Sequence, residues 1–132
     1  MAVFGTPEPR TDDAARALAC AHGMRRVIGA WNLERVPLQL PAVEVGIGLH
    51  VGTVVAGSTG TQDRLKFAVV GDAVNVASRL QAATRQLGCD MVVSKAAMHA
   101  AKAESLAGSE REVSLRGHAA AVAVVVFQRD RG

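Results

Sequence analysis

The sequence predicts an α+β fold, an antiparallel sheet with helices on one face, and three observations carry that prediction. Short β-favouring runs alternate with two long helical patterns instead of following one another in a block. A polar, glycine-containing turn at 58–64 separates two β-like runs, as a hairpin requires. In the stretch FAVVGDAVNVASRL, residues 67 to 80, an apolar strand gives way at Gly71 to a helical pattern with no intervening loop.

Taken in order, Met1 to Phe4 reads as a short strand, broken by Gly5, Pro7 and Pro9. Thr11, Asp12 and Asp13 open a helix, a capping hydroxyl followed by acids at the positive end of the dipole. Ala14, Leu18, Ala21, Met24, Ile28 and Trp31 recur at helical spacing and predict one apolar face, running to about Asn32. His22, Arg25 and Arg26 fall among them and read as a partly exposed surface. Pro37 and Pro41 bracket a loop. Residues 43–57 (VEVGIGLHVGTVVAG) are strand-like, with glycines that predict a bend, and 65–70 returns as the second strand of a hairpin. The next helix runs from Asp72 to Leu87 and stops at Gly88. Met91–Val93 then reads as a strand and Lys95–Ala103 as a helix. Two terminal strands, Val113–Leu115 and Ala121–Gln128, flank a turn at Arg116, Gly117 and His118. This order suggests a ferredoxin-like sheet.

The 132 residues fit one domain, and with 49% hydrophobic and 20% charged residues the chain has the composition of an ordered globular protein. The net charge of +3 suits a nucleotide partner, though an ordinary solvated surface explains it equally well. A nucleic-acid role is disfavoured: RNA-binding sheets stack bases on exposed aromatics, and the chain has one Trp, three Phe and no Tyr. Cys20 and Cys89 lack metal-like spacing and read as reduced thiols in the cytoplasm. The longest apolar run, Ala119 to Phe127, is far short of the roughly 20 residues that span a bilayer. GIGLHVG is no phosphate loop, because no helix opens after it. His50, with no second ligand at metal spacing, is expected to make a packing contact or a hydrogen bond.

The helix after Gly71 holds the candidate chemistry. Val76, Leu80, Ala83 and Leu87 form its buried stripe. Asn75 and Arg79, four apart, lie one above the other on a neighbouring face. They stand in the first two turns, where backbone N–H groups favour anions. Asp72 can cap the helix. Two readings of the pair remain open. Asn75 can extend the cap while Arg79 pairs with a surface acid; or the guanidinium neutralises a phosphoryl group while the amide orients a sugar.

Residues 65–80, LKFAVVGDAVNVASRL, resemble the strand–glycine–helix signature of the class III nucleotidyl cyclases, the adenylate and guanylate cyclases. IGLHVGTVVAGSTG is similar to that family's hairpin, MAVFGTPEP with DDAARAL to its earlier strand and helix, and VSLRGHAAAVAVVVF to its last strand pair. The resemblance covers essentially the whole chain. It implies conversion of a nucleoside triphosphate, ATP in preference to GTP, to a 3′,5′-cyclic nucleotide and pyrophosphate, with two Mg²⁺ or Mn²⁺ ions. It also implies a site shared between two catalytic domains, in a homodimer or with a complete cyclase domain. Asn75 would then orient the ribose, Arg79 would stabilise charge on the α-phosphate, and Arg116 would contact the polyphosphate. The family's metal-binding aspartates and base-reading Lys have no counterpart here, so no metal ligand is assigned. The base-selecting position is occupied by Ala68, which has no polar side chain. The expectation is therefore an N-terminally truncated cyclase domain over residues 1–132, inactive alone. The alternative is a non-catalytic cyclase-like dimerisation module.

Overall fold

In the computed structural model the described residues are 1–60, 66–106, 108–114 and 121–129. The elements are α1 (Asp13–Arg35), a short 3₁₀ turn (Val36–Leu38), β1 (Ile47–Leu49), β2 (Val55–Thr59) and β3 (Lys66–Val70). They continue as α2 (Asp72–Leu87), β4 (Cys89–Ser94), α3 (Lys95–Ala100), β5 (Ser109–Val113) and β6 (Val122–Gln128). Four strands form one sheet in the order β1-β4-β6-β5, while β2 and β3 form a separate two-stranded hairpin. β6 runs antiparallel to both β4 and β5, and β1 joins β4 in parallel, with Ile47 opposite Met91.

The α+β class and the antiparallel-dominated sheet are as expected, but the helices cover both faces, not one. The reason lies in β4 and β6, whose alternate positions are all apolar. Met91, Val93, Val125 and Phe127 face Leu18 and Ala21 of α1 and Ala97 and Met98 of α3. Val92, Val124 and Val126 point the other way, against Val76 and Leu80 of α2. A register irregularity between Cys89 and Met91 turns Cys89 toward the α2 side as well. Strands buried on both faces read as continuous apolar runs, and each face needs its own cover. Leu80 is fully buried; a side chain of that size stabilises the fold by about 1.5–3 kcal/mol through burial alone.

Three local expectations are revised. Met1–Phe4 forms no strand among the described residues. The segment 43–57 splits in two: the Asn32 side chain donates to the Val43 carbonyl (2.9 Å) and accepts from its N–H (2.7 Å), so pairing starts only at Ile47. The glycines before and within β1 serve a close approach more than a bend. A Cβ on Gly48 would strike the backbone of Ala77 and Gln81, and one on Gly46 the Thr84 hydroxyl. The alternation Gly46-Ile47-Gly48-Leu49 thus lays α2 directly on the strand while Ile47 and Leu49 pack on the opposite face.

Arg25 was expected at an ordinary surface and instead ties α1 to the sheet. Its Nε donates to Asp90 Oδ1 (2.8 Å), a second guanidinium nitrogen donates to the Gln128 carbonyl (2.7 Å), and the guanidinium lies 5.6 Å from the Phe127 ring centre. The single apolar face expected on α1 is also revised. Ala17, Leu18 and Ala21 are buried, whereas Met24 and Trp31 are exposed.

Candidate active site

The corner between β3 and α2 is built by Gly71. Its φ of 149° lies in a region that side chains rarely adopt, and a Cβ there would sit 3.1 Å from the Thr53 carbonyl oxygen. Gly71 itself is the N-cap and has no side chain to cap with; Asp72, expected at the cap, is instead the first helical residue. As an acid in the first turn it still complements the helix dipole. The C-terminus is closed by Gly88 in the left-handed conformation (φ 65°), as the sequence required.

Val76, Leu80 and Ala83 are buried and Leu87 packs partly against the same cluster. This fixes the helix rotation and leaves Asn75 and Arg79 exposed, one turn apart. Among the described residues neither side chain has a hydrogen bond or ion pair, so the capping and surface-pair readings find no support in the geometry. The structure therefore holds an amide and a guanidinium on a rigid, well-anchored helix, open to solvent.

Ala68 lies on β3 opposite Gly57, three residues before Gly71. It is half-buried and offers no hydrogen-bonding group. Arg116 lies outside the described residues. The β2–β3 hairpin leaves Val55 69% and Val70 58% exposed, paired with each other at its base, just before the chain turns into α2.

His50, at the end of β1, makes an internal hydrogen bond: its Nδ1 is 2.8 Å from Ser94 Oγ, which also accepts the Ala97 N–H as the N-cap of α3. Burial pushes its pKa below the ordinary imidazole value, and the nearby Asp72 carboxylate opposes that shift. Sequence reasoning could place His50 in a packing role but could not find its partner, 44 residues away. A cavity of about 160 Å³ lies behind α2, lined by Phe4, Leu49, His50, Gly52, Ala73 and Ala77 among others. Neither Asn75 nor Arg79 lines it, so their chemistry belongs to the open surface.

No group of three or more His, Cys, Asp or Glu able to hold a metal ion occurs among the described residues. The Mg²⁺ or Mn²⁺ expected from the resemblance does not fit the residues described here, and no step is assigned to a metal on this chain. No helix among the described residues is long and apolar enough to cross a membrane.

A helix-covered antiparallel sheet with a projecting hairpin, joined through a glycine corner to a helix bearing Asn75 and Arg79, is the architecture of a class III nucleotidyl cyclase catalytic domain. Comparison with known proteins bears this out. A family model described as the adenylate and guanylate cyclase catalytic domain matches residues 1–128. The chain belongs to that family. It is 35% identical over 115 residues to an adenylate cyclase of Anabaena cylindrica, covering 82% of this chain and 23% of the relative. Adenylate cyclase 1 of Rhizobium meliloti is 34% identical over 96 residues, 73% of this chain and 14% of the relative. The chain thus spans less than a quarter of these two proteins. Among solved structures, the guanylyl cyclase Cya2 superposes with a TM-score of 0.77 at 29% identity, over 97% of this chain and 64% of that one. The adenylyl cyclase CyaB of P. aeruginosa shares the fold, with a TM-score of 0.73 at 21% identity, over 97% of this chain and 66% of that one.

Proposed function

We propose that residues 1–132 act as the charge-stabilising half of a shared nucleotidyl cyclase site, forming a 3′,5′-cyclic nucleotide and pyrophosphate in cyclic-nucleotide signalling. The observation that carries this reading is the exposed, unengaged pair Asn75 and Arg79 on a helix whose rotation is fixed by its buried stripe. In the reaction the ribose 3′-oxygen bonds to the α-phosphorus as the bond from that phosphorus to the bridging oxygen breaks. The electron pair and negative charge leave on pyrophosphate, and the 3′-hydroxyl proton leaves to a base or to solvent. The Arg79 guanidinium, with donors arranged to match a phosphoryl group, lowers the cost of the charge that gathers on the α-phosphate oxygens. The Asn75 amide holds the ribose so that the 3′-oxygen points in line. Arg116 would add a contact to the polyphosphate.

Divalent ions, and the carboxylates that hold them, would come from a complementary cyclase domain that pairs with this chain. The exposed valines at the hairpin base favour such pairing. ATP is the preferred substrate in this reading, supported by the curated adenylate cyclases it resembles. Ala68 leaves base selection to other groups. In this reading the reaction runs in the cytoplasm, where nucleoside triphosphates are abundant.

The reading is tested by mixing the chain with a cyclase domain that retains its metal-binding aspartates but has alanine at its own Asn and Arg positions. Cyclic nucleotide formation should appear on mixing and be absent from either component alone. Activity from this chain alone with metal and ATP, or none on mixing, would overturn it.

A further inference from the structure

Helix α1 carries apolar residues on two adjoining faces, one buried and one open. Ala17, Leu18 and Ala21 are buried against the sheet and α3. About a quarter of a turn from the centre of that buried face, and adjoining it at Ala17, Cys20, Met24, Val27 and Trp31 follow a 4-3-4 spacing that keeps them in one line along the helix. This second line is open: Met24 is 50%, Val27 68% and Trp31 45% exposed, and Cys20 is an exposed free thiol. Arg35 stacks 4.9 Å from the Trp31 ring centre at its far end. Such a line at the spacing of a coiled-coil seam calls for a second helix.

The spacing also selects the occupant. A 4-3-4 series is the same read in either direction, so an antiparallel copy fits it about a two-fold axis between Met24 and Val27. Cys20 of one chain then meets Trp31 of the other, and Met24 meets Val27. The flanking charges agree with the same register. Arg16 and Glu34 lie on the same side of the line, one beyond each end. A two-fold axis perpendicular to the helix pair keeps each flank on its own side while reversing position along the axis. Arg16 of each chain is thereby brought to Glu34 of the other. Arg16 makes only a long 3.9 Å contact to Asp13, and Glu34 has no ion pair among the described residues. A parallel copy, related by an axis along the helices, would put Arg16 and Glu34 of the two chains on opposite flanks and bring no such pair together.

We propose that α1 is an interface for a second copy of this chain, docked antiparallel through Cys20, Met24, Val27 and Trp31 and set in register by Arg16 and Glu34. Such a contact is isologous, as two-fold dimers are, and Trp31 supplies the large anchor that interface centres favour. It is independent of the α2 and hairpin surface assigned to the cyclase reaction. Failure of one leaves the other standing.

The test is sedimentation velocity of the purified chain over a range of concentrations, alongside three variants. Val27→Glu changes an exposed residue and should leave the circular dichroism unchanged while weakening association roughly tenfold or more. Arg16→Glu should weaken it less, and the exchange Arg16→Glu with Glu34→Arg should restore it. In Trp31→Cys, mild oxidation should link Cys20 of one chain to residue 31 of the other. Cys20 and its own copy lie about 16 Å apart along the axis in this register, beyond disulfide reach. A chain that does not self-associate would overturn the proposal. So would association that ignores Val27→Glu, an exchange of charges that fails to restore binding, or oxidation that links Cys20 to Cys20.

Discussion

Replacing Gly48 by alanine tests how α2, and with it the Asn75–Arg79 pair, is held in place. A Cβ at this position would stand 2.9 Å from the Gln81 Cα and closer still to the Gln81 nitrogen and the Ala77 carbonyl oxygen. All three are helix backbone, so no side-chain rotation relieves the clash. Ordinary contact lies near 3.4–4 Å, and the two shorter contacts set the requirement; the helix must therefore move away from β1 by about an ångström. That movement loosens Val76 and Leu80 from the sheet. Overpacking of this kind costs about 1–3 kcal/mol. For a domain of this size each kcal/mol corresponds to roughly 3–5 °C in Tm. Gly57→Ala is the matched control, because a Cβ there meets nothing within 4 Å. Urea titrations should show a lower midpoint for Gly48→Ala at unchanged slope, with Gly57→Ala at or slightly above wild type. Equal stability of the two variants would refute the claim that the β1 glycines exist to admit α2.

The remaining predictions concern the core and the charged contacts. Leu80→Ala should cost about 2–5 kcal/mol, since the residue is fully buried between α2 and the sheet; chemical denaturation reads this directly. Arg25→Ala strands the Asp90 carboxylate and the Gln128 carbonyl and should cost about 1.5–3 kcal/mol, against near zero for the exposed Arg111→Ala. For His50 the folded pKa lies below the unfolded value of about 6.5, so the unfolded chain takes up the proton first as pH falls. Stability should therefore decline as pH drops below that value. His50→Gln should flatten this dependence in part, with His22, also held low by burial, accounting for a further share.

The sequence revealed most where the determinants are local. Both ends of α2 could be read from Gly71 and Gly88, and its rotation from Val76, Leu80, Ala83 and Leu87, so the exposure of Asn75 and Arg79 followed directly. The hairpin of β2 and β3 was equally local, a turn between two β-like runs. What escaped depends on residues far apart in the chain. The cover on both sheet faces depends on β4 and β6 becoming neighbours, which neither run shows alone. The parallel pairing of β1 to β4 brings together segments more than forty residues apart, and Arg25 reaches Gln128 across 103 positions. On α1, helical spacing shows that residues share a face without showing whether anything covers it. Met24 and Trp31 fit the period and still face outward.

If Arg79 stabilises charge that develops only as the α-phosphate reacts, its removal should slow the chemical step and leave substrate binding nearly intact. In the mixed enzyme, with the complementary domain supplying the aspartates, steady-state rates are measured for wild type, Arg79→Ala and Arg79→Lys over a range of ATP concentrations. Arg79→Ala should lower kcat by roughly 10²–10³ while KM changes little, with Arg79→Lys in between. A kcat within a few-fold of wild type for Arg79→Ala, or a loss confined to KM, would contradict it.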